Sequence, residues 1–597
     1  MRWLGVLMLW IPAVLSAQTS GSAPASWEGD PPALSALVDF AHGESDLRVA
    51  VTRYVQDREA IERRYEVLYS PVRIQRERKF LEGWRRNLAE VDFGKLNHEG
   101  QIDYLNLRNR IAYDLEELRL SETRAAQIAP LVPFGDSIRT LQEQRHDRQR
   151  IEPRVAASTL DRVATQVRDL TQALEQEAKK NNGAQVKRPG VTPVIAARAA
   201  AQVAHLRQVL GDWNTFYDGY DPLYSWWSRE PYNRAATELE KYRTAVETHL
   251  AGIKPGEQPP IIGDPVLNDS LKAALANEMI PYTPEELLKV GEREFEWIEG
   301  QFRIVSKRMG YGDDWKAALE YTKNLAPPPG EKPWVIFDIA KYSEAFVEKQ
   351  DSISMPPLAR EIWRLAMQTP ERQLINPFFT GGEVTHVSYP TDSMLLPDKL
   401  MSMRGNTPHF NFATVHHELI PGHHLQRFMT DRFNQHRRDL NDTPFWREGW
   451  SLYWELQLGD ADFPRNDPDR IGMLFWRLHR AARIIFSVNY QLGRWSPQQC
   501  VDFLVDRVGH ERANAEGEVR RSAQAVPLYQ AAYMLGGLQF RALYKELVSS
   551  GRMSAKEFHD SVLQGGTMPV ELVRARLTNQ PLTRDFQSQW RFYEGLR

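Results

Sequence analysis

The chain has 597 residues, 42% hydrophobic and 26% charged, which excludes an intrinsically disordered or collagen-like protein. With 75 Lys and Arg against 78 Asp and Glu, the net charge of −3 gives no electrostatic case for nucleic acid, whose binders carry a basic patch or stripe. A single cysteine, Cys500, excludes an intrachain disulfide and a cysteine-built zinc site.

Arg2, the apolar run 3–15 and the small residues Ser16 and Ala17 read as a secretory signal peptide over residues 1–17. The run falls short of the roughly 20 apolar residues a membrane span needs, and no cysteine near its end could carry a lipid. An uncleaved anchor is the alternative. The expected mature chain is exported, periplasmic or extracellular, with no stable membrane insertion. Residues 18–30 are small and polar and read as a flexible leader.

From 31 to 252 the pattern is helical, with Leu88, Val91, Leu96, Ile102, Leu105, Leu107 and Ile111 near helical spacing among charges. Asn181–Asn182–Gly183 and Pro189–Gly190 punctuate two long helices. Residues 252–265, rich in proline and glycine, form the clearest internal break. Thr283, Pro284, Glu285 and Glu286 then supply an N-cap, a first-turn proline and first-turn acids for a helix running towards Met309 and Gly310. A second break lies at 327–330, and 335–380 reads as helical. Residues 381–412 are the one stretch of strand-like or irregular character, and the remainder is helical. The expectation is a mostly α protein and one continuous fold: a helical half 31–252, and a half 266–597 carrying the chemistry.

Seven of the 15 histidines fall within 386–436, four of them in the nine residues His416–His417–Glu418–Leu419–Ile420–Pro421–Gly422–His423–His424. Neutral imidazole is the commonest metal-ligand side chain, so the cluster points to a metal. The zincin pattern places two histidines four apart on one helical face, with a Glu that activates the metal-bound water. Here Pro421 occupies the second histidine's place, and His423 and His424 lie six and seven residues beyond His417. On a straight helix the pair at seven would be about 10 Å apart, too far for one zinc. Pro421 and Gly422 suggest a kink or bulge at 420–422 that brings one of them back. The glycine before His423 favours it, with His424 as the alternative. The expected third ligand is Glu448, 31 residues after His417, in the first turns of a helix opened by Thr443 and Pro444. Glu455, seven further on and on the same face, could orient a ligand histidine.

The words HELIPGHHLQ (417–426) and EGWSLYWE (448–455) resemble the bacterial family known as domain of unknown function 885. Residues 224–232, 280–295, 494–504 and 527–536 carry weaker likenesses, so the resemblance covers about 90 to 550. It implies a large helical body related to the zincin peptidases, with a deep cleft. It implies that His417, His423 or His424, and Glu448 bind one Zn²⁺ per chain, and that Glu418 is the general base. Ser487, Gln491, Met534 and the pair Arg520–Arg521 depart from the family's usual residues and put the substrate in doubt.

The expected activity is zinc-dependent hydrolysis of short peptides. Tyr533 is the catalytic hydrogen-bond donor beside the metal, with Tyr529 as a further candidate in the substrate site. Arg520 could hold a substrate carboxylate bidentately. A non-catalytic metal-holding or helical binding protein, and a hydrolase of a non-peptide amide, are the rival readings.

Overall fold

Helix starts fall where the sequence supplies caps. Thr283 closes a full capping box with Glu286, and the helix Pro284–Arg308 runs as expected to Met309 before Gly310 turns with φ of +88°. Helix Pro153–Lys180 ends at the Asn181–Gly183 signal, and Pro193–Tyr217 opens after Pro189–Gly190, capped by Thr192. The computed structural model describes residues 44–596 with Pro31 and Leu34, apart from Gln258, Pro329, 374–377, Phe379 and Ala525. The signal peptide and leader read at 1–30 lie outside the described residues. The protein is mostly helical, and among the described residues no helix is long and apolar enough to cross a membrane.

Two hydrophobic cores divide the chain, and the 252–265 break marks only one of the two places where the chain passes between them. The smaller core joins helices Gly135–His146, Pro153–Lys180, Pro193–Tyr217 and Pro222–Val246 through Leu160, Val167, Leu206, Leu239 and similar side chains. The larger core unites helices Arg48–Arg64, Pro71–Ala89 and His98–Ile128 with the chain from Leu271 to Tyr593. The first three helices thus belong with the second half. His436 and Arg437 both meet Asp103, His436 Nε2 at 2.7 Å and Arg437 Nε at 2.6 Å, tying that half to helix His98–Ile128.

Among the described residues the one sheet is a parallel pair, Arg364–Met367 with Val384–Val387. The second strand lies in the stretch read as irregular, but the first lies in a stretch read as helical. Residues 364–367 (RLAM) carry no strand signal; pairing with 384–387 overrides local preference. The irregular reading of 381–412 also holds only in part, because Leu396–Gly405 and the start of Pro408–Glu418 are helical there.

Candidate metal centre

Helix Pro408–Glu418, capped by the Thr407 side chain, carries His417 and Glu418 at its end. The chain then turns through a cis Ile420–Pro421 bond, and a new helix, His423–Thr430, begins. The Gly422 N–H returns to His416 O at 3.0 Å, and Trp450 Nε1 donates to Pro421 O at 2.9 Å. A Cβ on Gly422 would lie 1.9 Å from His417 O and 2.4 Å from His416 O, so the turn admits only glycine. The expected kink within one helix is therefore a break between two. The break swings His423 against His417, with ring centroids 4.8 Å apart and planes at 89°. His424, about 100° further round the new helix, turns away, its Nε2 2.7 Å from Ala359 O. Of the two candidates, His423 alone joins the cluster.

Thr443 and Pro444 open helix Pro444–Asp460, whose buried face presents Glu448 and Glu455 to the histidines. Glu448 Oε2 lies 3.1 Å from His423 Nε2 and 3.6 Å from His417 Nε2. Three ligands each about 2.0–2.2 Å from one tetrahedral zinc would be about 3.3 Å apart, so the spacing fits. Glu455 Oε1 lies 2.6 Å from His417 Nδ1. Gln426 Oε1 at 3.3 Å and Ser451 Oγ at 3.2 Å meet His423 Nδ1. With these neighbours at each Nδ1, both Nε2 atoms face the Glu448 carboxylate, the orientation a shared metal would need.

The electrostatics favour a cation. Burial opposes charge on His417, yet hydrogen bonds to Glu448 and Glu455 hold the imidazole up to about 9. Burial would raise Glu448, but His423, His417 and Arg447 hold it well below the usual carboxylate range. Glu455 is held down to about 2, because Arg480 and His417 outweigh its burial. A buried set of two imidazoles and a carboxylate that draws positive charge this strongly suits a divalent ion of the zinc type.

The Glu418 carboxylate lies within 4.8 Å of the donor atoms of His417 and His423, and Gly381 passes directly against it. Both line a cleft of about 490 Å³ shared with His423, Glu448, Tyr529 and Tyr533. Tyr529 donates to Glu448 Oε1 at 2.7 Å, and burial and Glu448 push its own phenol pKa far up. It braces the Glu448 carboxylate from the cleft wall. Tyr533 stacks on His417 with ring centroids 6.0 Å apart, and its hydroxyl has no carboxylate partner among the described residues. Both tyrosines stand on helix Tyr529–Tyr544, which crosses Pro444–Asp460 at glycines: a Cβ on Gly449 would lie 2.6 Å from Gly536 Cα.

Arg520 is not in the cleft. Its Nη2 donates to Pro259 O at 2.8 Å, on the 252–265 break, while Arg521 lines the cleft in its place. Arg480 and Arg483, on helix Asp467–Gln491, also reach the cleft and were missed as site residues. Gln426 was missed as well, although its place three residues after His423 on a helix was a usable signal. Much of the histidine excess is structural: His409 meets Asp469 at 2.7 Å, and His436 meets Asp103.

The profile of the family described as bacterial protein of unknown function (DUF885) matches residues 54–577. The chain belongs to that family. No curated protein matches the chain with significance. Two solved structures share the fold with this DUF885 member. One, described as "a putative lipoprotein of unknown function" from Shewanella oneidensis, has a TM-score of 0.63 at 15% identity, covering 89% of this chain and 99% of that one. The other, "the putative lipoprotein" from Colwellia psychrerythraea, has a TM-score of 0.54 at 15% identity, over 89% and 98% of the two chains. At that identity the likeness speaks for the fold alone.

Proposed function

We propose that this DUF885 member is a zinc-dependent peptidase of short peptides, related to the helical zincins. One observation carries the reading. His417, His423 and Glu448 converge as three donors while His424 turns away, which leaves a fourth position for the cleft beside Glu418. Structural zinc sites close all four positions, whereas catalytic ones keep one open. When bound, the metal would act as a Lewis acid and lower the pKa of a water.

The chain's own residues supply the rest. Glu418 takes a proton from the attacking water on its carboxylate and delivers it to the leaving amine. Glu455 keeps the proton of His417 on Nδ1, and Tyr529 fixes the Glu448 carboxylate. The Tyr533 hydroxyl is the donor for negative charge developing on the scissile oxygen. A cleft of about 490 Å³ takes a peptide of a few residues rather than a folded protein. Export fits both the N-terminal sequence and the description of the two structural relatives as lipoproteins.

The test is Glu418→Gln. It should keep about one zinc per chain and lose di- and tripeptide turnover by roughly 100- to 10,000-fold. Unchanged turnover would remove Glu418 from the chemistry. Zinc lost along with turnover would make it a ligand. A zinc-bearing wild type that cleaves no peptide would favour the metal-holding reading or a different amide.

A further inference from the structure

Six arginines reach the cleft, and five have a carboxylate at hand. Arg427 and Arg438 meet Asp431, Arg447 meets Asp442, Arg480 lies 3.2 Å from Glu455, and Arg483 lies 2.7 Å from Glu518. Arg521 is the exception. Among the described residues its guanidinium has no carboxylate within ion-pair distance. Its polar partners are the hydroxyls of Tyr529 at 3.2 Å and Tyr533 at 3.5 Å, and it lies 5.5 Å from the Tyr529 ring centroid. Glu518 and Glu448 stand near enough to favour its charge, but the phenols satisfy only one corner of a planar fork built for bidentate pairing and leave the rest without a carboxylate hydrogen bond.

Its position is as informative as its lack of a partner. Tyr529 bridges Arg521 to the proposed metal ligand, at 3.2 Å on one side and 2.7 Å to Glu448 Oε1 on the other. Only two hydrogen bonds therefore separate the guanidinium from the reacting centre. An anionic group held there would stand within one residue of a bond positioned over Glu418. Since a peptide's C-terminal carboxylate is three covalent bonds from the preceding carbonyl carbon, that group can be the free end of the leaving residue. An acidic side chain beside the scissile bond offers the same chemistry. The stacked Tyr533, flanked by Arg480 at 4.6 Å and Arg483 at 4.4 Å, adds positive potential on the same side.

We infer that Arg521 is the subsite for a substrate carboxylate on a residue flanking the scissile bond. This rests on the peptidase reading for what the substrate is, but its test reads binding rather than turnover.

The full-length mature chain as purified, carrying Glu418→Gln so that bound peptide persists, is titrated calorimetrically with two peptide pairs. Ala-Ala-Ala as free acid is compared with its C-terminal amide, and Ala-Ala-Asp amide with Ala-Ala-Asn amide. One acid should bind at least about tenfold more tightly than its neutral partner, the scale of one charge-assisted hydrogen-bonded pair. Preference in the first pair assigns the carboxylate to the peptide terminus, and in the second to a side chain. Arg521→Gln should abolish the preference. Arg521→Lys, which keeps the charge without the fork, should reduce it, and serves if the Gln variant does not fold. Arg520→Gln should leave it intact. Equal binding within both pairs, binding of none, or a preference unchanged in the Arg521 variants overturns the inference. An acid preference without hydrolysis by wild type would leave the subsite standing and remove only the peptidase reading.

Discussion

Between residues 128 and 251 the core is aliphatic and aromatic, and the buried polar side chains there, such as Gln142, Thr171, Gln202 and Asn214, include no charged group among the described residues. The body around the candidate metal centre buries Asp103, Arg437, Glu448, Glu455, Arg480, Arg483 and Glu518. The bundle rests on apolar burial, which is non-directional and tolerant of repacking. The body rests in addition on charges that are affordable only with their partners in place. One region supplies bulk and the other geometry, so the two should fail under different insults.

Acid is the largest lever. Burial holds His510 down to about 3 and His559 to about 4, both in the body, while in the bundle His205 is shifted the same way but only half-buried. These histidines stay neutral when folded. Below an unfolded pKa of about 6.5 the unfolded chain takes up protons that the native body refuses. Their contribution is therefore complete above about pH 6.5 and drains away towards pH 4 and below, on the order of several kcal/mol in total. Hydrogen exchange on chelator-treated protein at pH 4.5 should show peptides from 529–577 opening before those from 153–246. Simultaneous opening would break the contrast.

A cavity in the bundle comes next. Leu206→Ala should cost about 2–5 kcal/mol of stability, read from denaturant unfolding, and leave zinc affinity unchanged. A parallel fall in affinity would mean that the bundle helps to shape the metal site.

The smallest expected effect is Glu455→Gln, which keeps every ligand but weakens the acceptor at His417 Nδ1 and leaves Arg480 without its carboxylate. Zinc affinity, by competition with a chromophoric chelator, should fall roughly 10- to 100-fold. Wild-type affinity would show that Glu455 is only a buried ion-pair partner of Arg480.

The same division governs what the sequence alone could tell. Helix ends at Thr192 and Thr283 are local chemistry, and the helix His98–Ile128 follows from apolar spacing. Glu448 and Glu455 were legible because a seven-residue step returns to the same helical face. The 419–422 break was less so, since proline and glycine announce an interruption without its direction, and Gly422 N–H to His416 O sets that direction. Arg520 and Arg521 differ by one residue, or about 100° of helix, and contact with Pro259, far away in sequence, decides which of them faces the cleft. The strand 364–367 exists only because 384–387 lies beside it. Long-range contacts of this kind leave no local trace.

The crossing at Gly449 and Gly536 has a consequence for how such a site can diverge. Where two helices meet main chain to main chain, their separation is set by the backbone and not by any side chain that mutation could lengthen or shorten. Glu448 sits one residue before that joint, and Tyr533 one helical turn before its counterpart. The gauge between Glu448 and Tyr533 is thus inherited with two glycines, and the cleft walls around them can change residue by residue without recalibrating it.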